Sequence, residues 1–193
     1  MTNRLRVDNP LNFEGHLLVA TPKLQGTPYE GAVCLVVRHQ AEGTIGIFLN
    51  KAIEAEANGL WEHLTGTEST DARLHLGGPE SGPVVALHNC QNLAEYTSGD
   101  GVYFAAQVSL LQQLVAKESS DCDVKLIVGQ AQWEPGELEE QLLSGQWMMM
   151  PVNQEVVFAP EDEMWQKARR HMGNLYVSAI TGCHFKSVNA LNN

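Results

Sequence analysis

Four histidines, two glycine-rich turns and one acidic helix start are the residues here whose types and spacing suit chemistry. His16, His39, His75 and His88 each stand beside an apolar run, and an imidazole there can ligate a metal or move a proton near neutral pH. No two of them have ligand spacing on one element, and no Cys/His run accompanies them, so no metal site is expected. Gly43-Thr44-Ile45-Gly46 runs into Asn50-Lys51, a glycine turn and polar strand end that could hold a small anion. Gly77-Gly78-Pro79 could present backbone amides as a nest, although a turn demanding positive φ explains it equally well. Trp133-Glu134-Pro135-Gly136-Glu137 with Glu139 and Glu140 gathers carboxylates that could do acid/base work. The same acids suit a helix start, where they cap amides and complement the dipole.

Local motifs for the commonest chemistries are missing. There is no phosphate-cradling G-x-x-x-x-G-K-[ST], no H-E-x-x-H, no G-x-S-x-G elbow and no G-x-G-x-x-G after a strand. No cofactor is expected and no catalytic residue is assigned, which leaves open only a site assembled from distant positions.

The elements that must position these residues are legible in outline. Residues 17–20 form an apolar run stopped by Thr21-Pro22, which reads as a strand ended by proline. Residues 33–37 and 44–49 are nearly continuous apolar runs that suit strands buried on both faces, and the short link between them favours an antiparallel hairpin. Leu60, Trp61 and Leu64 share one face of a short helix over 58–64. Strands are expected at 74–76 and 84–88 around the Gly/Pro turn, at 124–128 up to Gly129, and at 152–158; apolar positions 108, 111, 114 and 115 have a helical period.

The segment 135–144 reads as a helix with Pro135 at N1, Glu137 at N3 and Gly145 closing it, and Trp133 stapling onto Leu138. The last helix starts after Pro160 with Glu161-Asp162-Glu163 and buries Trp165, Ala168 and Met172. Its basic end, Lys167, Arg169, Arg170 and His171, is expected to stop before Gly173, with a frayed tail beyond Gly182. Strand neighbours are joined too directly for pure βαβ winding, so the sheet is expected to be mixed.

Bulk properties narrow the function classes. A chain of 193 residues with 44% hydrophobic and 18% charged residues has ordinary globular composition, and no linker divides it, so residues 1–193 are expected to form one domain. Twelve Lys and Arg against 23 Asp and Glu give a net charge of -11, which repels nucleic acid and anionic membrane surfaces. Cys34, Cys90, Cys122 and Cys183 are far apart without a C-x-x-C pair. The first fifteen residues lack the apolar core of a secretory signal, and no apolar run approaches a membrane span. A cytoplasmic address with reduced thiols is the expectation.

Taken in order, several pieces resemble the bacterial YqgE/AlgH family. They are residues 16–24, HLLVATPKL; residues 32–37 with Arg38-His39; Gly43-x-x-Gly46-x-x-x-Asn50-Lys51; and Leu76-Gly77-Gly78-Pro79. Then come Gly129-x-Ala131-x-Trp133-x-x-Gly136-x-Leu138-Glu139, Gly145-x-Trp147 with Pro151, and Trp165 with Ala168 and Gly173. The likeness spans about residues 13–175. It departs at Glu30-Gly31-Ala32, where the family has Arg or Lys with Ser, at Ala52, where it has Pro, and at Gln130, where it has Tyr.

The resemblance implies a single α+β domain with a branched mixed β-sheet, partly barrel-like, flanked by helices. It implies little chemistry, because the family is mostly uncharacterised. The transcriptional-regulator label on some members has no DNA-binding mechanism in an acidic chain without a basic recognition helix. The expectation is a non-catalytic binding or regulatory protein whose ligand face comprises His39, Asn50, Lys51, Gly77, Gly78 and Pro79, with an unknown small molecule or protein as partner. The alternative is a hydrolase-like enzyme with His39 or Glu134 as base and the Gly77-Gly78 amides as oxyanion donors.

Overall fold

A computed structural model describes residues 12–53, 74–117 and 122–181. Nine strands are described: β1 (His16–Ala20), β2 (Val33–Gln40), β3 (Gly43–Phe48), β4 (Leu74–Leu76), β5 (Glu80–His88), β6 (Tyr96–Gly99), β7 (Val102–Ala105), β8 (Val124–Trp133) and β9 (Trp147–Pro151). They lie in the order β6-β7-β5-β8-β3-β2-β1-β9, with β4 joined to β8 off this path. Every pairing is antiparallel except β4 with β8, so the sheet is mixed and branched, and it curls into a half-barrel. Four helices accompany it among the described residues: α1 (Val108–Lys117), α2 (Glu137–Leu143), α3 (Gln154–Val157) and α4 (Glu161–Thr181).

The continuous apolar runs are explained by burial of both sheet faces. Side chains alternate along a strand. In β1 and β2, Leu17, Val19, Val33 and Leu35 enter a core beneath α3 and α4, whereas Leu18, Ala20, Cys34 and Val36 enter a second core with Trp133, Leu138 and Trp147. A third cluster packs α1 residues Leu111, Leu114 and Val115 against Leu74, Val84, Ala86 and Leu126.

The branch point is built from glycines. On one edge β8 pairs with β3 as far as Gly46↔Ala131, and then β4 takes over that edge at Leu76↔Val128. Past β3 the chain runs beside β4: Phe48 N–H donates to Gly77 O, Leu76 N–H to Lys51 O and Ile53 N–H to Leu74 O. A Cβ on Gly77 would fall on the Gly129 carbonyl, and one on Gly78 on the Gln130 backbone; Gly129 itself turns at φ +83. Three backbones meet here more closely than any side chain permits.

Several local expectations are corrected. Residues 152–158 form no strand: β9 ends at Pro151, and Asn153 caps the short helix α3 by accepting from Val156 N–H at 3.1 Å. A strong cap outweighs the β-preference of scattered valines, and the helix buries Val156 and Val157. Helix α4 does not stop before Gly173 but continues to Thr181, since a helical glycine only weakens a long helix. Helix α2 begins at Glu137, because Gly136 stands at φ +83 and Trp133 ends β8. Strands 74–76 and 84–88 do not pair with each other; each pairs with β8. The β6–β7 hairpin around Gly99-Asp100-Gly101 was not anticipated. Cys90 and Cys122, expected to be free thiols, are joined in a disulfide with Cα atoms 5.8 Å apart. The helix expected over 58–64, the tail beyond Gly182 and Cys183 lie outside the described residues.

Candidate functional site

The six residues expected to share one ligand face fall into two groups at opposite ends of the β2–β3 hairpin. His39 pairs with Thr44 at the turn end, while Asn50 meets Val33 at the other, six residues and about 20 Å along β2.

At the turn end, His39 Nδ1 lies 2.8 Å from Thr44 Oγ1, its Nε2 is 3.6 Å from Glu139 Oε1, and its ring packs on Phe13 at 4.4 Å. A hydroxyl, an imidazole and a carboxylate in line is the grouping of acyl-transfer enzymes. Here, however, Thr44 is only 3% exposed, so no substrate carbonyl can approach its oxygen. Sequence reading missed Thr44 and Glu139 as partners of His39, since strand pairing and helix packing bring them there.

At the far end, Asn50 is committed to the backbone: Oδ1 accepts from Val33 N–H and Nδ2 donates to Gly31 O, both at 2.9 Å. Lys51 Nζ donates to Glu30 O at 2.6 Å. Together they tie the loop entering β2. Gly77 and Gly78 are buried, and the Gly77 N–H is donated to Val128 O at 2.7 Å, so that amide already has its acceptor within the sheet.

The other histidines are scattered. His16 contacts the Glu14 carbonyl near the surface. His75 is buried between Leu126 O at 3.1 Å and Glu161 Oε1 at 2.7 Å, where Lys125 Nζ also reaches the same oxygen at 3.0 Å. His88 is fully buried, and neither ring nitrogen has a hydrogen-bond partner. Burial pushes its pKa down, with the nearby Cys90 backbone acting weakly the other way without hydrogen-bond geometry. Among the described residues no three His, Cys, Asp or Glu are grouped to hold a metal ion.

The acids after Trp133 serve the helix start. Glu137 Oε2 accepts from Glu134 N–H at 2.9 Å and its Oε1 from Gln141 Nε2 at 3.0 Å. Gln141 Oε1 in turn accepts from the indoles of both Trp133 and Trp147. Tyr29 covers this pair, its phenol pKa raised by burial and by Glu137, Cys34 and Glu80.

A cleft that sequence reading missed lies elsewhere. It is open, encloses about 600 Å³, and is lined by Asp100, Asp123, Asn153, Gln154, Glu155, Phe158 and Lys167. Its walls come from the β6–β7 turn, the entry to β8, α3 and α4. Asp100 is the one non-glycine residue at positive φ among the described residues, and its Oδ2 accepts from Gln154 N–H at 2.8 Å. Asp123 Oδ2 is held by Asn89 Nδ2 at 2.9 Å. The Gly99-Asp100-Gly101 turn and the Asn153 cap were the readable signals; their convergence was not.

Comparison with known proteins places this geometry. A UPF0301 protein of Chlamydia caviae is 29% identical over 172 residues, covering 87% of this chain and 90% of the relative. The fold matches the solution structure of the AlgH protein from Pseudomonas aeruginosa, with a TM-score of 0.67, 20% identity, and 93% and 98% of the two chains covered. A crystal structure of a Corynebacterium diphtheriae protein gives the same TM-score and identity over 85% and 89% of the chains. The family described as AlgH-like matches residues 17–177. This chain therefore belongs to the AlgH-like family.

Proposed function

We propose that this protein is a non-catalytic binding or regulatory protein of the cytoplasm whose ligand enters the cleft between the β6–β7 turn, α3 and α4. The observation that carries the reading is the lining: three carboxylates, two side-chain amides and Phe158 against one lysine, in an open cavity of about 600 Å³, the size of small-molecule sites. That excess of negative charge favours a small organic amine, its cation among Asp100, Asp123 and Glu155 and its carbon chain on Phe158. No Ser, Thr, Cys or His lines the cleft. The face around Asn50 and Gly77 serves less well, because its polar groups already bind backbone.

The reading keeps the protein off nucleic acid. Of the basic cluster on α4, Arg169 stacks over Trp165 at 4.6 Å, and the chain's net charge repels phosphate. An effect on gene expression would run through a bound ligand or partner protein.

Calorimetric titration of the full chain with 1,4-diaminobutane, an arylalkylamine and inorganic phosphate tests the reading. Amine binding weakened about fivefold by Glu155→Gln, with phosphate inert, is the expected outcome. Amines that fail to bind, or bind equally to the variant, would overturn it.

A further inference from the structure

Cys90 and Cys122 are 32 positions apart in sequence but end neighbouring strands: Cys90 lies two residues after β5, and Cys122 two residues before β8. Their seam is closed without the sulfur bond. Asn89 N–H donates to Asp123 O at 3.3 Å, Asp123 N–H to Asn89 Oδ1 at 2.9 Å, and Asn89 Nδ2 to Asp123 Oδ2 at 2.9 Å. Behind that clasp the β5–β8 ladder runs from His88↔Val124 to Val84↔Val128. A backbone so clasped keeps the two sulfurs within reach of each other in either redox state, and this favours rapid, reversible closure.

His88 supplies the second observation. It is fully buried, yet both ring nitrogens lack a partner, and buried polar atoms without one are rare. Val84, Ala86 and Cys90 belong to one core cluster, so strand alternation turns His88 toward the face that holds Cys90. A disulfide sulfur has no proton to offer an imidazole; a thiol does.

We infer that Cys90–Cys122 is a reversible thiol–disulfide site in which His88 accepts the hydrogen bond of the reduced Cys90 thiol. Its co-reactant is a dithiol. A thiolate of that reductant attacks the half-buried Cys122 sulfur, and the Cys90–Cys122 bond breaks with its electron pair leaving on Cys90. Cys90 takes a proton and turns its S–H to His88. The reductant's second thiolate then closes on its own first sulfur, expelling Cys122 as a thiolate that takes the second proton. One disulfide and one dithiol become two protein thiols and the reductant's disulfide, with two electrons and two protons transferred. Burial keeps the imidazole neutral, with a lone pair available to the thiol.

The test equilibrates the full chain in buffers of graded reduced-to-oxidised dithiothreitol ratio, alkylates free thiols and reads Cys34, Cys90 and Cys122 separately by peptide mass, with circular dichroism reporting the fold. The folded chain is expected to pass between disulfide and dithiol across the series, and His88→Phe to shift that equilibrium about five- to tenfold toward the disulfide, the worth of one buried hydrogen bond. A pair that opens only when the chain is unfolded by denaturant, or an unshifted His88→Phe equilibrium, overturns the inference. Should that variant not fold, nitrogen NMR of the wild-type chain decides: a His88 ring nitrogen should move to the position of a hydrogen-bond acceptor on reduction, and an unmoved resonance rules the contact out.

Discussion

His75 Nε2 lies 2.7 Å from Glu161 Oε1, which joins the off-path strand β4 to the first turn of α4. The other ring nitrogen faces the Leu126 carbonyl at 3.1 Å. Lys125, 7% exposed, reaches the same carboxylate oxygen. One carboxylate thus anchors a long helix to two strands at the sheet's branch.

Acid should release that anchor. Partial burial raises the Glu161 pKa, but hydrogen bonds from His75 and Lys125 outweigh it and bring the group down to about 2 from its ordinary 4.5. A carboxyl depressed in the folded state contributes stability in full above the unfolded value. That contribution declines as pH falls from about 4.5 and is gone once pH passes below about 2. Glu161→Gln should therefore lose about 2 to 3 kcal/mol near pH 7 and converge on the wild type as pH falls below about 2, as read from denaturant unfolding across that range. A difference independent of pH would rule out the ion pairs as its source.

Trp133 is expected to hold the second core together. It is 3% exposed, shares a cluster with Leu138 and Trp147, and donates to Gln141 at 3.0 Å. Trp133→Ala should lower unfolding stability by about 3 to 5 kcal/mol. Amine binding at the cleft lined by Asp123 and Lys167 should persist at temperatures where the variant is folded. A loss below about 1 kcal/mol would show that the indole is not a core element.

Two glycines should tolerate no side chain. At Gly46 a Cβ would come within 2.6 Å of Cys34 Sγ and 3.0 Å of Trp133 Cζ3, so Gly46→Val should destabilise by about 1 to 3 kcal/mol. Gly77→Ala should reach the upper end of that range with a single methyl, because the obstacle is the Gly129 carbonyl, part of a paired backbone that cannot rotate aside. Denaturation midpoints compare the two directly; an unchanged midpoint for Gly77→Ala would mean that the branch point has room.

Asn50 separates a structural role from a ligand role. Asn50→Ala removes one acceptor and one donor used by the Gly31–Val33 backbone and should lower stability by about 1 to 3 kcal/mol. Calorimetry of the folded variant should show unaltered amine affinity. Lost affinity in a variant of unchanged stability would return Asn50 to the binding surface.

Sequence alone determined the local elements whose causes are local. The apolar runs of β1, β2 and β3, the acidic start of α4 after Pro160, and the Gly145 stop of α2 each follow from burial, dipole and turn chemistry within a few residues. The ordered glycines and tryptophans carried the family likeness across nearly the whole chain. Tertiary structure alone decided what those residues touch. Gly77-Gly78-Pro79 looked like a ligand nest because free amides and amides already bonded to a neighbouring strand have the same sequence; only the crossing with Gly129 shows the Gly77 amide bonded to Val128. Asn50 and His39 looked like one face because both are polar groups at strand ends eleven positions apart, but an extended hairpin places its turn and its open end about 20 Å apart. The cleft, and the meeting of Cys90 with Cys122, bring together residues tens of positions apart, and no short-range pattern encodes contacts made by sheet pairing across that separation.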